Sequence, residues 1–333
     1  MIDLHAHVVL DGVLGRAGPY GPELRDDPDC PTFRVGGYEL SGVRYRNSPF
    51  MDIDLRVEAM DRLGISYQVL SPNPLTYLHH VEPAVAVDFA RWHNDEMAAL
   101  VDAHAGRVGG TAQLPMQDPP AAARELRRAV GELGLLGGYI GTDIGHGEVL
   151  ALDDARFDDL YASCVDLDVP LFMHPAPPGI DAPLPDPRVR RFDADLWLSF
   201  AYEETLAVAT LVFGGVLDRH SGLDVCLSHG GGALIALIGK LRRVAESRPW
   251  VPEALREPGA LDHRLRQLWF DAHVSDAGVL GVLRAVVGEG RVVGGTNFAG
   301  WDQPAELPAP LEVDQLDANA RRLLRRPPLV PGR

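Results

Sequence analysis

From residue 51 onward the sequence alternates short apolar runs with longer amphipathic stretches, and this rhythm limits the fold more than any other feature. Apolar runs at 65–70, 108–114, 135–141, 169–174, 223–227, 268–270 and 291–295 lack strict alternation. Strands read this way when both their faces are covered, as in parallel sheets. Helical stretches follow at 52–63, 83–104, 119–133, 154–167, 203–219, 233–246, 276–287 and 313–324. Asp52 or Asp54 can cap the first helix and Gly64 can end it. With residues 2–7 as an opening strand, the chain holds eight strand–helix units. Eight units favour a (β/α)8 TIM barrel over a doubly wound sheet, and 333 residues suit one such barrel as a single domain.

Barrels of this class place their chemistry at the C-terminal ends of the strands. Polar residues collect there. Strand 1 ends in His5 and His7, which the two-residue period turns to one side. Strand 5 ends in His174 and strand 6 in His229. Strand 7 is followed by Asp271 and His273, and strand 8 opens into Asn297. Neutral imidazole is the commonest nitrogen ligand of divalent metals, so these histidines predict one metal site. A bound divalent ion lowers the pKa of water and polarises substrate oxygens. Zinc is expected first, with iron or manganese as alternatives and a dinuclear iron centre as a variant, because imidazole suits several of these metals. Asp271 either orients His273 or a bound water, or serves as a structural partner at the rim. Trp301 either lines a substrate pocket or packs under the last helix. Gly230-Gly231-Gly232 either cradles an anion or makes a tight strand-to-helix turn. His79, His80, His93, His104, His146, His220 and His263 are assigned to surface or loops.

Between strand 1 and the first helix lies an excursion over residues 8–50, rich in Gly, Pro and charge and too long for a plain loop. It reads as a lid-like insertion over one end of the fold, with a hairpin in 32–45 turning at Gly36-Gly37. The net charge of −16 leaves no basic stripe for phosphates, which argues against nucleic acid and leaves a small molecule as the partner. Arg321, Arg322, Arg325 and Arg326 are read as the solvated face of a last helix. Cys30, Cys164 and Cys226 are odd in number and widely spaced, as in a reducing compartment, with Cys164 and Cys226 buried. No signal-like segment opens the chain, and no apolar run reaches the roughly 18 residues of a membrane span. The expected setting is cytoplasmic, away from membranes.

Several motifs go beyond this reading. They are Asp3-Leu4-His5-Ala6-His7, Arg56-x-x-x-Met60-Asp61, Leu114-Pro115-Met116-Gln117-Asp118, residues 170–175, Glu204-Thr205, His229-Gly230-Gly231-Gly232, Arg291-Val292, Gly295-Thr296 and Asn319-Ala320. Together they resemble the aminocarboxymuconate-semialdehyde decarboxylase branch of the amidohydrolase superfamily. That branch comprises metal-dependent (β/α)8 barrels, among them non-oxidative decarboxylases, hydratases and lactonases of carboxylated ring or ring-cleavage compounds. The resemblance implies His5, His7 and His174 as metal ligands and His229 as the acid/base. It also implies Arg44 as the group that binds a substrate carboxylate, and a homodimer.

This chain departs from the family pattern in specific places. Asn297 stands where the family carries a metal-binding Asp, and an amide is neutral and no base. His273 and Glu203 are candidate compensating ligands. Leu40 stands near the place of a family lysine. Lys240 replaces an arginine that in relatives reaches a neighbour's site, keeping charge without the bidentate fork. The leading expectation is a metal-dependent carbon–carbon lyase that decarboxylates a small unsaturated or aromatic acid. An oxygen-activating non-haem iron enzyme and a lactone or amide hydrolase are the alternatives, and a barrel without chemistry is the non-enzymatic one.

Overall fold

The computed structural model describes residues 1–144, 150–177 and 187–325. Eight parallel strands close into a barrel: Ile2–Val8, Tyr67–Pro72, Val108–Gly110 with Ala112–Gln113, Gly138–Ile140, Leu171–Met173, Val225–Leu227, Trp269–Asp271 and Val292–Val293. The third strand is split at Thr111, whose amide donates to Leu70 O on one side while Ala112 N donates to Gly137 O on the other. Strand 8 meets strand 1 through Leu4 N to Gly294 O at 2.9 Å and Phe298 N to His5 O at 3.2 Å, which completes the ring. The expected fold class is therefore the observed one.

Helices form where capping and periodicity agree. Asp52 caps Ile53–Leu63 by accepting from Asp54 N and Leu55 N, and left-handed Gly64 ends it. The helix expected at 203–219 runs instead from Ala194 to Phe213 and breaks at Gly214-Gly215 before a short turn, Val216–Arg219. Its early start follows from a composition that is apolar almost all round, which hides the boundary from periodicity. By length and composition alone the stretch Pro187–Phe213 could cross a membrane, contrary to the count of apolar runs. In the fold it packs Glu204, Ala207, Val208 and Leu211 against the barrel. Arg325 is not merely solvated either: it pairs with Asp224 and Asp168, tying the last helix to the N-terminal end of the barrel strands, while Arg326 lies outside the described residues.

The excursion carries a three-stranded antiparallel sheet, Glu23–Arg25, Thr32–Val35 and Tyr38–Ser41, with the turn at 36–37 as expected. Glu23–Arg25 is an additional strand that three residues of mixed character do not announce. Cys164 and Cys226 are buried and Cys30 is exposed. His79 lies in a turn, as the loop assignment has it, although buried, whereas His93 is both helical and buried, against that assignment. His93 lies on the inner face of helix Pro83–Ala103 near Phe89, where its aromatic body packs like an apolar residue. His146 lies outside the described residues.

Candidate metal centre

Strand 1 departs from regular pairing between Asp3 and Ala6, where three steps on this strand oppose two on strand 2. This bulge turns both Leu4 and His5 toward the barrel interior, where they border a small void with Tyr139, Phe172 and Cys226. Asp3 satisfies the bulged backbone by accepting from His5 N at 3.1 Å. The same buried carboxylate accepts from Gln68 Nε2 at 2.8 Å and from Thr296 N at 3.0 Å, joining strands 1, 2 and 8. Behind it Arg56, fully buried, donates to Gln68 Oε1 at 2.7 Å and to His7 O at 2.6 Å. Breaking such a buried charged network costs about 3–5 kcal/mol. Its function is to hold the His-x-His segment in place.

His5, His7, His174 and His229 each have their Nδ1 occupied. His5 Nδ1 meets Asp271 Oδ2 at 2.7 Å. His7 Nδ1 faces Pro72 O at 3.2 Å and Ser71 Oγ at 2.9 Å, and His174 Nδ1 faces Pro175 O at 2.6 Å. Carbonyls and carboxylates only accept, so these rings carry their proton on Nδ1 and present a bare lone pair at Nε2. His7 Nε2 and His174 Nε2 then stand 3.3 Å apart, lone pair against lone pair, and buried His5 Nε2 has no hydrogen-bond partner. A cation among them resolves both problems. His5, His174 and His229 also place ligand atoms within 4.8 Å of one another, as a metal site requires. Burial holds His5 and His174 well below their ordinary pKa and pushes His7 down to about 3, so all three rest in the neutral, ligating form.

His229 differs. It follows strand 6 in a left-handed turn (φ +46°), and the glycines after it allow the chain to pass close to the neighbouring helix. A Cβ on Gly232 would lie 2.4 Å from Ala201 O. His229 Nδ1 meets Glu204 Oε1 at 2.8 Å, and Ser228 Oγ donates to the same oxygen. Burial disfavours its charged form, but the Glu204 carboxylate outweighs burial and lifts His229 to about 9. Among these rings it alone is built to hold a second proton. Of the two adjacent glutamates it is Glu204, not Glu203, that meets His229, since neighbouring helical residues point about 100° apart. Glu203, half-buried, is raised to about 7 by burial and by Asp143.

Asn297 also adopts a left-handed conformation (φ +46°) and borders the cavity beside His7 and His174. Its Nδ2 donates to Asp302 Oδ1 at 2.7 Å. His273 Nε2 meets the other oxygen of Asp302 at 2.9 Å, while its ring centroid lies 5.6 Å from those of both His5 and His229. That nitrogen of His273 is therefore committed to Asp302 and is not a free ligand. Burial would raise the Asp302 pKa, but His273 and Asn297 outweigh it and bring it to about 2. Asp302 was not anticipated from sequence, because it lies in an irregular loop with no pattern to mark it. Asp271 meets the ring of His5 through Oδ2, while its Oδ1 accepts from the backbone amides of His273 and Gly230 at 3.1 Å each.

Above the histidines lies a cavity of about 610 Å³. Tyr38, Leu40, Val43, Tyr45 and Phe50 from the excursion form one wall, with Phe200, Trp197 and Trp301 opposite. No lysine or arginine is among the described residues lining it. Arg44 is exposed and donates to Pro28 O at 3.4 Å, because Val43 and Tyr45 on either side take the inward positions. Lys240 is exposed on helix Leu234–Ser247 and does not border the cavity of its own chain. Trp301 lines the cavity while remaining 71% exposed, so the packing alternative under the last helix does not hold.

A closed parallel barrel with buried histidines converging at the C-terminal ends of its strands defines a metal-dependent barrel enzyme. The amidohydrolase family profile matches residues 2–326. The chain belongs to that family, within the branch of the aminocarboxymuconate-semialdehyde decarboxylases. It is 29% identical over 300 residues to the 2-amino-3-carboxymuconate-6-semialdehyde decarboxylase of Dictyostelium discoideum, covering 89% of this chain and 81% of that one. It is 34% identical over 210 residues to the gamma-resorcylate decarboxylase of Rhodococcus jostii (strain RHA1), covering 60% and 61% respectively. Among solved structures, a dihydroxybenzoic acid decarboxylase from Polaromonas sp. JS666 with bound manganese and 2-nitroresorcinol superposes with a TM-score of 0.74. The two are 24% identical, with 99% of each chain covered.

Proposed function

We propose that this chain is a metal-dependent, non-oxidative decarboxylase of a small unsaturated or aromatic carboxylic acid. The observation that carries the reading is the pairing of three neutral, converging imidazole Nε2 atoms with one histidine, His229, that retains a proton through Glu204. His5, His7 and His174 would hold a divalent ion, with Asn297 at the same rim. When bound, that ion supplies positive charge for the substrate's carboxylate and any adjacent hydroxyl. The apolar walls hold the ring and exclude water, with Phe200 centred 5.6 Å from His174 and 5.9 Å from His229. Decarboxylation breaks the carbon–carboxylate bond and leaves an electron pair on carbon. His229 Nε2 delivers a proton to that carbon, carbon dioxide departs, and Glu204 stabilises the imidazolium before transfer.

Because the described residues of the cavity walls include no cationic side chain, the carboxylate finds its counter-charge at the floor. This favours substrates with one carboxylate on a largely apolar frame. Zinc or iron suits three imidazoles by ligand type, and the manganese of the Polaromonas relative supports the manganese alternative. Pairing of two copies and a cytoplasmic setting complete the proposal; the exposed Trp197, Tyr202 and Leu206 on helix Ala194–Phe213 support a paired state. Incubating protein loaded with zinc, manganese or iron with a panel of hydroxybenzoates and unsaturated acids tests the activity. Stoichiometric carbon dioxide without oxygen uptake is expected. Hydrolysis of lactones with no carbon dioxide from any acid, or oxygen consumption with iron, would overturn it.

A further inference from the structure

We infer that Asp302 is a positioning residue of the metal centre, aiming the Asn297 amide oxygen at the metal and supplying negative charge that the neutral ligands lack. The inference rests on the metal-centre part of the reading above and not on decarboxylation. A carboxylate can only accept, so the atom of Asn297 that meets Asp302 Oδ1 at 2.7 Å must be the amide nitrogen. This leaves Oδ1, the atom able to ligate a cation, for the opposite side, and Asn297 borders the cavity with His7 and His174. Asp302 Oδ2 simultaneously takes His273 Nε2 at 2.9 Å, fixing that ring 5.6 Å from His5 and from His229.

The loop between the two residues is shaped to bring them together. Asn297 and Ala299 both have positive φ (+46° and +64°), a left-handed conformation that Asn adopts more readily than Ala. Gly300 N donates to Asn297 O at 2.7 Å, and Gln303 Oε1 accepts from Ala299 N at 2.6 Å, folding residue 302 back over residue 297. A Cβ on Gly300 would lie 2.7 Å from Asn297 Cγ, so only glycine lets the chain pass so close. Phe298, buried beneath, anchors the loop against Arg56 at 4.9 Å. A carboxylate thus stands behind three of the polar groups at this rim: Asp271 behind His5, Glu204 behind His229 and Asp302 behind Asn297. In the third pair the neutral member borders the cavity with His7 and His174, and the charge sits one hydrogen bond away.

The test measures metal affinity without turnover. Metal-stripped full-length protein is titrated with manganese(II), and the free ion is read by electron paramagnetic resonance. Asp302→Asn should weaken manganese binding at least about tenfold, and Asp302→Ala further, within the range for residues that orient ligands. Moving the charge onto the ligand in the double variant Asn297→Asp/Asp302→Asn should restore affinity to within about threefold, because the new amide donates to the new carboxylate. Wild-type affinity in both single variants, or a double variant no tighter than Asp302→Asn, would overturn the inference. Should Asp302→Asn fail to fold, the double variant decides alone: folding with near wild-type affinity supports the assignment, and weak binding rejects it. If no form of the protein binds a divalent ion, the metal-centre reading itself fails, which is distinct from losing Asp302.

Discussion

The floor and the walls of the active cavity are built on opposite principles. The floor comes from the ends of barrel strands and is polar, buried and fully cross-braced, with Asp3, Gln68, Arg56, Asp271 and Glu204 each holding a neighbour by a short hydrogen bond. The walls come from the excursion before residue 51, helix Ala194–Phe213 and the loop after strand 8, and they are aromatic and aliphatic. The floor sets which atoms react, since its geometry is fixed by strand ends and the hydrogen bonds that brace them. The walls set which molecule reaches it, since loops and insertions change without disturbing the barrel.

Changes to the floor should produce the largest effects. His174→Ala should remove metal and activity together, and a variant that kept full metal content would break the division drawn here; elemental analysis of purified protein reads it. Glu204→Gln should lower kcat about 10²–10⁴-fold, the scale of a general acid, while metal content stays at the wild-type level. Loss of metal instead would move Glu204 from proton handling to ligand support. Asp271→Asn should sit lower, at about 10–100-fold in metal affinity, because it touches the centre through the His5 ring and otherwise braces the backbone at Gly230 and His273.

A pH-dependent effect separates the His229–Glu204 pair from the other rings. The His229 pKa is raised to about 9 when folded, against about 6.5 unfolded. Its contribution to the stability of metal-free protein is therefore fully present below about 6.5 and disappears as pH rises toward 9. The melting temperature of chelator-treated protein should fall across that window, and Glu204→Gln should flatten the fall; an unchanged slope would remove the pairing from the account. In the walls, Phe200→Ala should raise KM by about tenfold, in line with roughly 1–3 kcal/mol for a lost apolar contact, with kcat little changed. Arg44→Ala should change either constant by less than about twofold, since the side chain faces solvent. A larger effect would place a cation at the cavity after all.

Much of the floor was legible because strand ends in a barrel have a known position. His5 and His7 end an alternating strand, His174, His229 and Asn297 follow apolar runs, and the structure brings them together at one rim. Arg44 was misplaced for the opposite reason: inside an insertion, direction depends on which neighbour packs inward, and here Val43 and Tyr45 do. Glu203 and Glu204 are adjacent in sequence, and only the rotation of their helix turns Glu204 to His229.

What the sequence determined by itself is the barrel, through the repeated apolar and amphipathic rhythm, and the identity of the imidazoles at its strand ends, through local period and spacing. Tertiary structure alone decided how those groups are wired. Asp271 lies 266 positions from the His5 that it orients, and Glu204 lies 25 positions before His229. Asp302 folds back on Asn297 through two residues in left-handed backbone. Hydrogen bonds between side chains that distant leave no periodic trace in a chain, because they depend on where rigid elements meet in space.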